Sequence, residues 1–141
     1  NEDADNMLFY FQPDHFPIGG GGLIINGKLA RGYKGYSGEI GPSMRWLFDD
    51  TSEKKRTPEG TLQLVTGALL MYISTTAPEK IILNSRLTPD VNEIYRELEK
   101  HMPKKYIPEI TTVQDASTFM LPGLMIYGLD ALKRKNTWGK D

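Results

Sequence analysis

The chain has 141 residues, 39 % of them apolar and 25 % charged, which is the balance of an ordinary globular protein rather than a disordered or membrane one. Seventeen basic against eighteen acidic residues leave a net charge of −1, so no broad electrostatic footprint for nucleic acid is expected. With no cysteines, disulfides and thiolate metal sites are excluded, and a cytoplasmic setting is expected.

This length is one domain's worth, enough to bury roughly two thirds of the chain's surface. No apolar stretch approaches the ~20 residues of a spanning helix, and Asn1-Glu2-Asp3 is acidic where a signal peptide would be basic. No membrane partner is expected. The chain opens without Met and runs almost at once into a strand, which predicts a single domain over residues 1–141 that is part of a longer protein.

Met7 to Phe11 is aromatic-rich and short, the pattern of a strand. Leu23-Ile24-Ile25 and Lys28-Leu29-Ala30 flank Asn26-Gly27, a pair that tolerates the positive φ angles of a type I′ hairpin turn. Residues Ser43 to Lys55 carry no clear period, and Asp49 to Arg56 reads as a solvated charged run. Thr57-Pro58-Glu59 offers a hydroxyl N-cap, a proline for the first turn and an acid near the positive dipole end, so a helix is predicted from there to about Thr76. Its apolar residues cover nearly every face, as in a buried central helix.

Lys80 to Leu83 reads as a short buried strand. Thr88-Pro89-Asp90 repeats the helix-start chemistry, and Val91, Ile94 and Leu98 form an apolar stripe opposite Asn92, Glu93, Arg96 and Glu97. A strand from Ile107 to Val113 and a closing helix from Leu124 to Arg134 complete the chain. The expected order is β-β-β-α-β-α-β-α, an α/β arrangement with a mixed sheet flanked by helices.

Three blocks carry a more specific likeness. Gly19-Gly20-Gly21-Gly22 leads into Leu23-Ile24-Ile25-Asn26-Gly27-Lys28-Leu29, Gly35-Tyr36-Ser37-Gly38-Glu39-Ile40-Gly41 follows, and Ala77-Pro78-Glu79-Lys80-Ile81-Ile82-Leu83 comes later. Together they resemble the ROK family of repressors and sugar kinases, over nearly the whole chain and most closely from Gly19 to Gly41. The resemblance implies the C-terminal lobe of that fold, a ribonuclease H-like lobe of the actin-like ATPase superfamily. It also implies a phosphate-loop remnant at Gly19, Gly20, Gly21 and Gly22, and sugar contacts from Glu39, supported by Gly38.

The departures from the family pattern bear on activity. The family's catalytic aspartate and first phosphate loop would lie before Asn1, and phosphoryl transfer needs both the base and the cradle. Where the family has Gly-Thr-Gly-Ile-Gly, this chain has Asp14-His15-Phe16-Pro17-Ile18, and an acid there repels a γ-phosphate. Pro42 stands in place of the family's zinc-ligating histidine, and the cysteine motif for zinc is absent. Asn84-Ser85-Arg86 replaces a glycine-rich turn that lies against adenosine, and its side chains would crowd a purine.

These features imply a non-catalytic sugar-effector or interaction domain of a ROK-type transcriptional regulator, with no cofactor or metal. A small sugar would be the effector, and DNA contact would belong to another segment. The alternatives are one lobe of a divergent, ATP-dependent hexose kinase, or a structural dimerisation module. Self-association is expected in any case, with Met71, Tyr72, Phe119 and Met125 at a symmetric contact.

Plainer readings stand beside each feature. Gly19 to Gly22 can be a surface loop, and Glu39 can cap or salt-bridge locally. His15 and His101 lack partners at metal-ligand spacing. Met71-Tyr72 and the stretch from Met120 to Met125 suit a core or an interface, and Lys133, Arg134, Lys135 and Lys140 suit a solvated helix end.

Overall fold

A computed structural model describes residues 4–13, 18–49, 51–54, 57–84, 87 and 89–113. The predicted closing helix, with Phe119, Met120, Met125 and the basic residues after it, lies outside them. So do Asp14 to Pro17, Ser85, Arg86 and Thr88.

The first strand, β1, runs over Met7–Phe11. Strand β2 (Gly20–Ile25) pairs antiparallel with it, setting Leu8 opposite Leu23 and Tyr10 opposite Gly21. Asn26 and Gly27 both take positive φ, 52° and 68°, and turn the chain into β3 (Lys28–Leu29). The turn is anchored to the preceding segment, because Asn26 N–H donates to Asn6 Oδ1 at 3.0 Å and Gly27 N–H to the Asp5 carbonyl at 2.8 Å. The hairpin is therefore the predicted one, with β2 beginning three residues earlier than its apolar run.

Two short helices, α1 (Gly41–Leu47) and α2 (Thr51–Lys54), occupy the stretch where the sequence shows no period. Only Met44 of α1 is buried, so there is no apolar stripe to betray it, while Pro42 suits a first turn that needs no N–H from it. Helix α3 (Pro58–Thr76) starts at its predicted cap, where Thr57 Oγ1 accepts from Gly60 N–H at 3.0 Å. Leu64, Val65, Ala68, Leu69, Tyr72 and Ile73 are buried along it, and it packs against α1 and α2 as well as α4 (Val91–Glu99). Covered on several sides, it can be apolar nearly all round.

Strand β4 (Lys80–Asn84) joins β1 in parallel, and β5 (Glu109–Thr112) joins β4 in parallel, giving the sheet order β3-β2-β1-β4-β5. The last strand is shorter than the predicted Ile107–Val113, because Lys104–Tyr106 forms a single 3-10 turn before it. Helix α4 also starts later than Thr88 suggests. Asp90 is the N-cap, its Oδ1 accepting from Asn92 N–H at 2.7 Å. The predicted stripe faces inward, with Ile94 and Leu98 wholly buried.

The core lies between one face of the sheet and these helices. Leu8, Tyr10, Leu23, Ile81, Leu83 and Ile110 supply the sheet side. Phe9 and Phe11 alternate to the opposite face, half-buried and exposed respectively.

Candidate functional site

The four glycines from Gly19 to Gly22 are not interchangeable. A Cβ on Gly19 would stand 2.3 Å from the Phe11 carbonyl oxygen, and one on Gly21 would stand 2.6 Å from the ring and hydroxyl of Tyr72 and 2.8 Å from Leu8. Both positions are closed by packing. A Cβ on Gly20 would meet nothing nearer than 3.9 Å, and one on Gly22 nothing within 4 Å. Those two glycines pair with Phe11 and Phe9 and share their face of the sheet, where they leave bare backbone open to the surface. From Gly20 onward the glycines belong to strand β2 rather than to a loop.

The Gly38-Glu39 segment is fastened to this strand from behind. Gly38 has φ +88°, and a Cβ there would collide with the Gly21 carbonyl oxygen, so only glycine fits. Its own carbonyl accepts from Gly21 N–H at 3.0 Å and from the Tyr72 hydroxyl. Tyr72 stands edge-on to Tyr10 with ring centroids 6.3 Å apart, and the Tyr10 hydroxyl accepts from Gly19 N–H at 3.2 Å. Two buried tyrosines thus hold the residue just before the glycine strand and the turn before Glu39. Burial pushes the Tyr10 hydroxyl up to about 12, offset in part by its bond to Gly19. Burial also raises Tyr72, helped by neighbouring Tyr10 and the negative charge of Glu39.

In front of this support lies a cleft of about 470 Å³. Phe9, Phe11 and Gly19 to Gly22 form its sheet side, Pro13 and Ile18 one end, and Tyr36, Glu39, Gly41, Pro42 and Arg45 the facing wall. The structure therefore brings the glycine block and Glu39 into one cavity, while Gly38 acts from behind it. Glu39 is exposed, and its carboxylate makes no hydrogen bond or ion pair among the described residues. Among the described residues it neither caps a helix nor forms a salt bridge.

Arg45 was not legible as a site residue, since no motif surrounds it and α1 has no period. Its guanidinium folds back over the start of α1, where an added Cβ on Gly41 would stand 3.3 Å from one of its nitrogens. Among the described residues lining the cleft, Glu39 is the only carboxylate and Arg45 the only cation.

A zinc ion does not fit here. Pro42 sits in the first turn of α1 with no donor atom to offer, the chain has no cysteine, and no group of three ligand-type residues gathers among the described residues.

Two further expectations change. Tyr72 is only 2 % exposed, so it belongs to the core and not to a symmetric contact; its hydroxyl is occupied by Gly38. Asn84 is turned inward and donates through Nδ2 to the Val113 carbonyl at 2.6 Å, so it ties β4 to the end of β5 instead of crowding a ligand.

Solved structures similar to this chain include a protein of Listeria monocytogenes provisionally assigned as an N-acetylmannosamine kinase. The match has TM-score 0.56 and 17 % identity, over 79 % of this chain and 53 % of that one. A ROK family transcriptional regulator, described as a homolog of the E. coli MLC protein, matches with TM-score 0.43 and 10 % identity over 79 % of this chain and 42 % of its own. The chain shares the α/β fold of the Listeria protein, with a mixed five-stranded sheet and helices packed against it. It spans about half the length of the solved structures it matches. No family model matches the sequence, and neither does any curated protein. No described helix is long and apolar enough to cross a membrane.

Proposed function

We propose that this chain is a ROK-type lobe that binds a small sugar in the cleft between β2 and α1 and performs no phosphoryl transfer itself. The observation that carries the reading is the convergence of Glu39, unpartnered among the described residues, and the open backbone of Gly20 and Gly22 on one cavity of about 470 Å³. A carboxylate accepts two hydroxyl donors in fixed geometry, and bare backbone lets a polyol approach closely. That volume lies within the ordinary range for a small-molecule site.

The non-catalytic part of the reading rests on the residues themselves. Among the described residues of the cleft Glu39 is the only carboxylate, and the reading assigns it to hydroxyl recognition and not to proton abstraction. The lobe is thus the effector-sensing part of a cytoplasmic regulator, with DNA contact assigned to a segment outside this chain.

The test is ligand-observed NMR against neutral hexoses and N-acetylhexosamines, alongside calorimetric titration with magnesium-ATP. Binding of one sugar class without ATP supports the reading. A magnesium-ATP dissociation constant in the low micromolar range, worth about 8 kcal/mol, would overturn its non-catalytic half in favour of a divergent kinase lobe.

A further inference from the structure

Arg45 is the part of the cleft that a neutral sugar does not explain. Its guanidinium shares the cavity with Glu39, yet makes no hydrogen bond or ion pair among the described residues. No acidic residue occupies the first turn of α1, over which the guanidinium folds. The absence of a side chain on Gly41 is what leaves room for it there. A Cβ at 3.3 Å from a guanidinium nitrogen is closer than ordinary van der Waals contact and would make the group give by a few tenths of an ångström.

We propose that the ligand of this cleft is an anionic monosaccharide, with its hydroxyls meeting Glu39 and its carboxylate or phosphate meeting Arg45. This rests on the sugar-binding reading above and narrows it. The chemistry is complementary at both ends. Glu39 offers only acceptors and suits neutral hydroxyls, whereas Arg45 offers only donors in a planar fork that matches a carboxylate or phosphate in bidentate fashion. A single ligand carrying both kinds of group neutralises Arg45 without competing for Glu39. The anion is assigned to the α1 wall, where Gly41 and Arg45 lie. Sugar phosphates and sugar acids share this chemistry, and the choice between them is left to the probes.

The test titrates the protein with matched ligands: glucose, glucose 6-phosphate, glucuronate and inorganic phosphate. It is run on the natural sequence, on Arg45→Met and on Arg45→Lys. Arg45 is exposed, so both variants should keep the fold, which circular dichroism checks. The expected result is that one anionic sugar binds at least tenfold more tightly than glucose. Arg45→Met abolishes that advantage, and Arg45→Lys restores only part of it. Whether the phosphate or the carboxylate form wins identifies the anion. If glucose and both anionic sugars bind equally in all three proteins, the assignment of Arg45 is wrong while the sugar-binding reading stands. If inorganic phosphate binds as tightly as glucose 6-phosphate, Arg45 is a simple anion site and the proposal fails. If no sugar of either kind binds, the underlying reading falls and takes this one with it.

Discussion

The backbone N–H of Gly21 donates to the carbonyl of Gly38 across 3.0 Å, joining the glycine strand to the turn that presents Glu39. The same carbonyl accepts from the Tyr72 hydroxyl, so one oxygen on α3's side of the sheet fixes both halves of the candidate site. Tyr72→Phe removes the hydroxyl but keeps the ring. Because Gly21 still satisfies the carbonyl, the loss should be that of one ordinary hydrogen bond, about 0.5–1.5 kcal/mol of stability in urea unfolding. A loss within error would show that the hydroxyl does not hold the turn.

The glycines of β2 should separate cleanly by face. Gly21→Ala drives a methyl group into the Tyr72 ring and Leu8, and overpacking of that kind costs about 1–3 kcal/mol. Gly22→Ala meets nothing and should leave stability unchanged within about 0.5 kcal/mol. Its methyl group enters the cleft instead, so it should weaken sugar binding without lowering the unfolding midpoint. Equal stability of the two variants would contradict the packing described for Gly21.

Tyr10 makes stability depend on alkaline pH. Its hydroxyl is held near 12 in the folded chain against an ordinary 10.0, so the folded state keeps this proton more tightly than the unfolded one. The contribution is complete below about pH 10 and is lost as pH rises through 12, and two pH units correspond to about 3 kcal/mol. Urea unfolding across that window, with tyrosinate absorbance followed in parallel, should show the decline, and Tyr10→Phe should make it shallower, with buried Tyr72 supplying the remainder. A decline that is just as steep in Tyr10→Phe would place its origin elsewhere.

Local chemistry made parts of this fold readable in advance. Asn26-Gly27 tolerates two positive φ angles, and Thr57-Pro58 supplies both a cap and a pre-set first turn; each determines its element within a few residues. Helix α1 was hidden because only Met44 is buried while Trp46 and Leu47 stay exposed, leaving no periodic face. The strand character of Gly20 to Gly22 was hidden as well, since glycine disfavours strands and here yields to the bulk of Tyr72 and Leu8 behind it. Glu39 stood out through its motif. Arg45 needed the cleft itself to become visible, because nothing in its neighbours' sequence marks a guanidinium without an acidic partner among the described residues.

The central claim is that Glu39 recognises sugar hydroxyls, and replacing its carboxylate by an amide tests that most directly. Glu39→Gln keeps the shape, removes the charge and offers donors where the site needs acceptors, so it should cost about 1–3 kcal/mol of sugar binding. Because Glu39 is exposed and has no partner among the described residues, the unfolding midpoint should not move. Ligand-observed NMR titrations of both proteins against the same hexose and N-acetylhexosamine panel give the comparison. The account predicts weak binding to the natural sequence that falls at least fivefold in Glu39→Gln with stability unchanged. Sugar binding of equal strength in both proteins, or a lowered midpoint with no sugar bound by either, would contradict it.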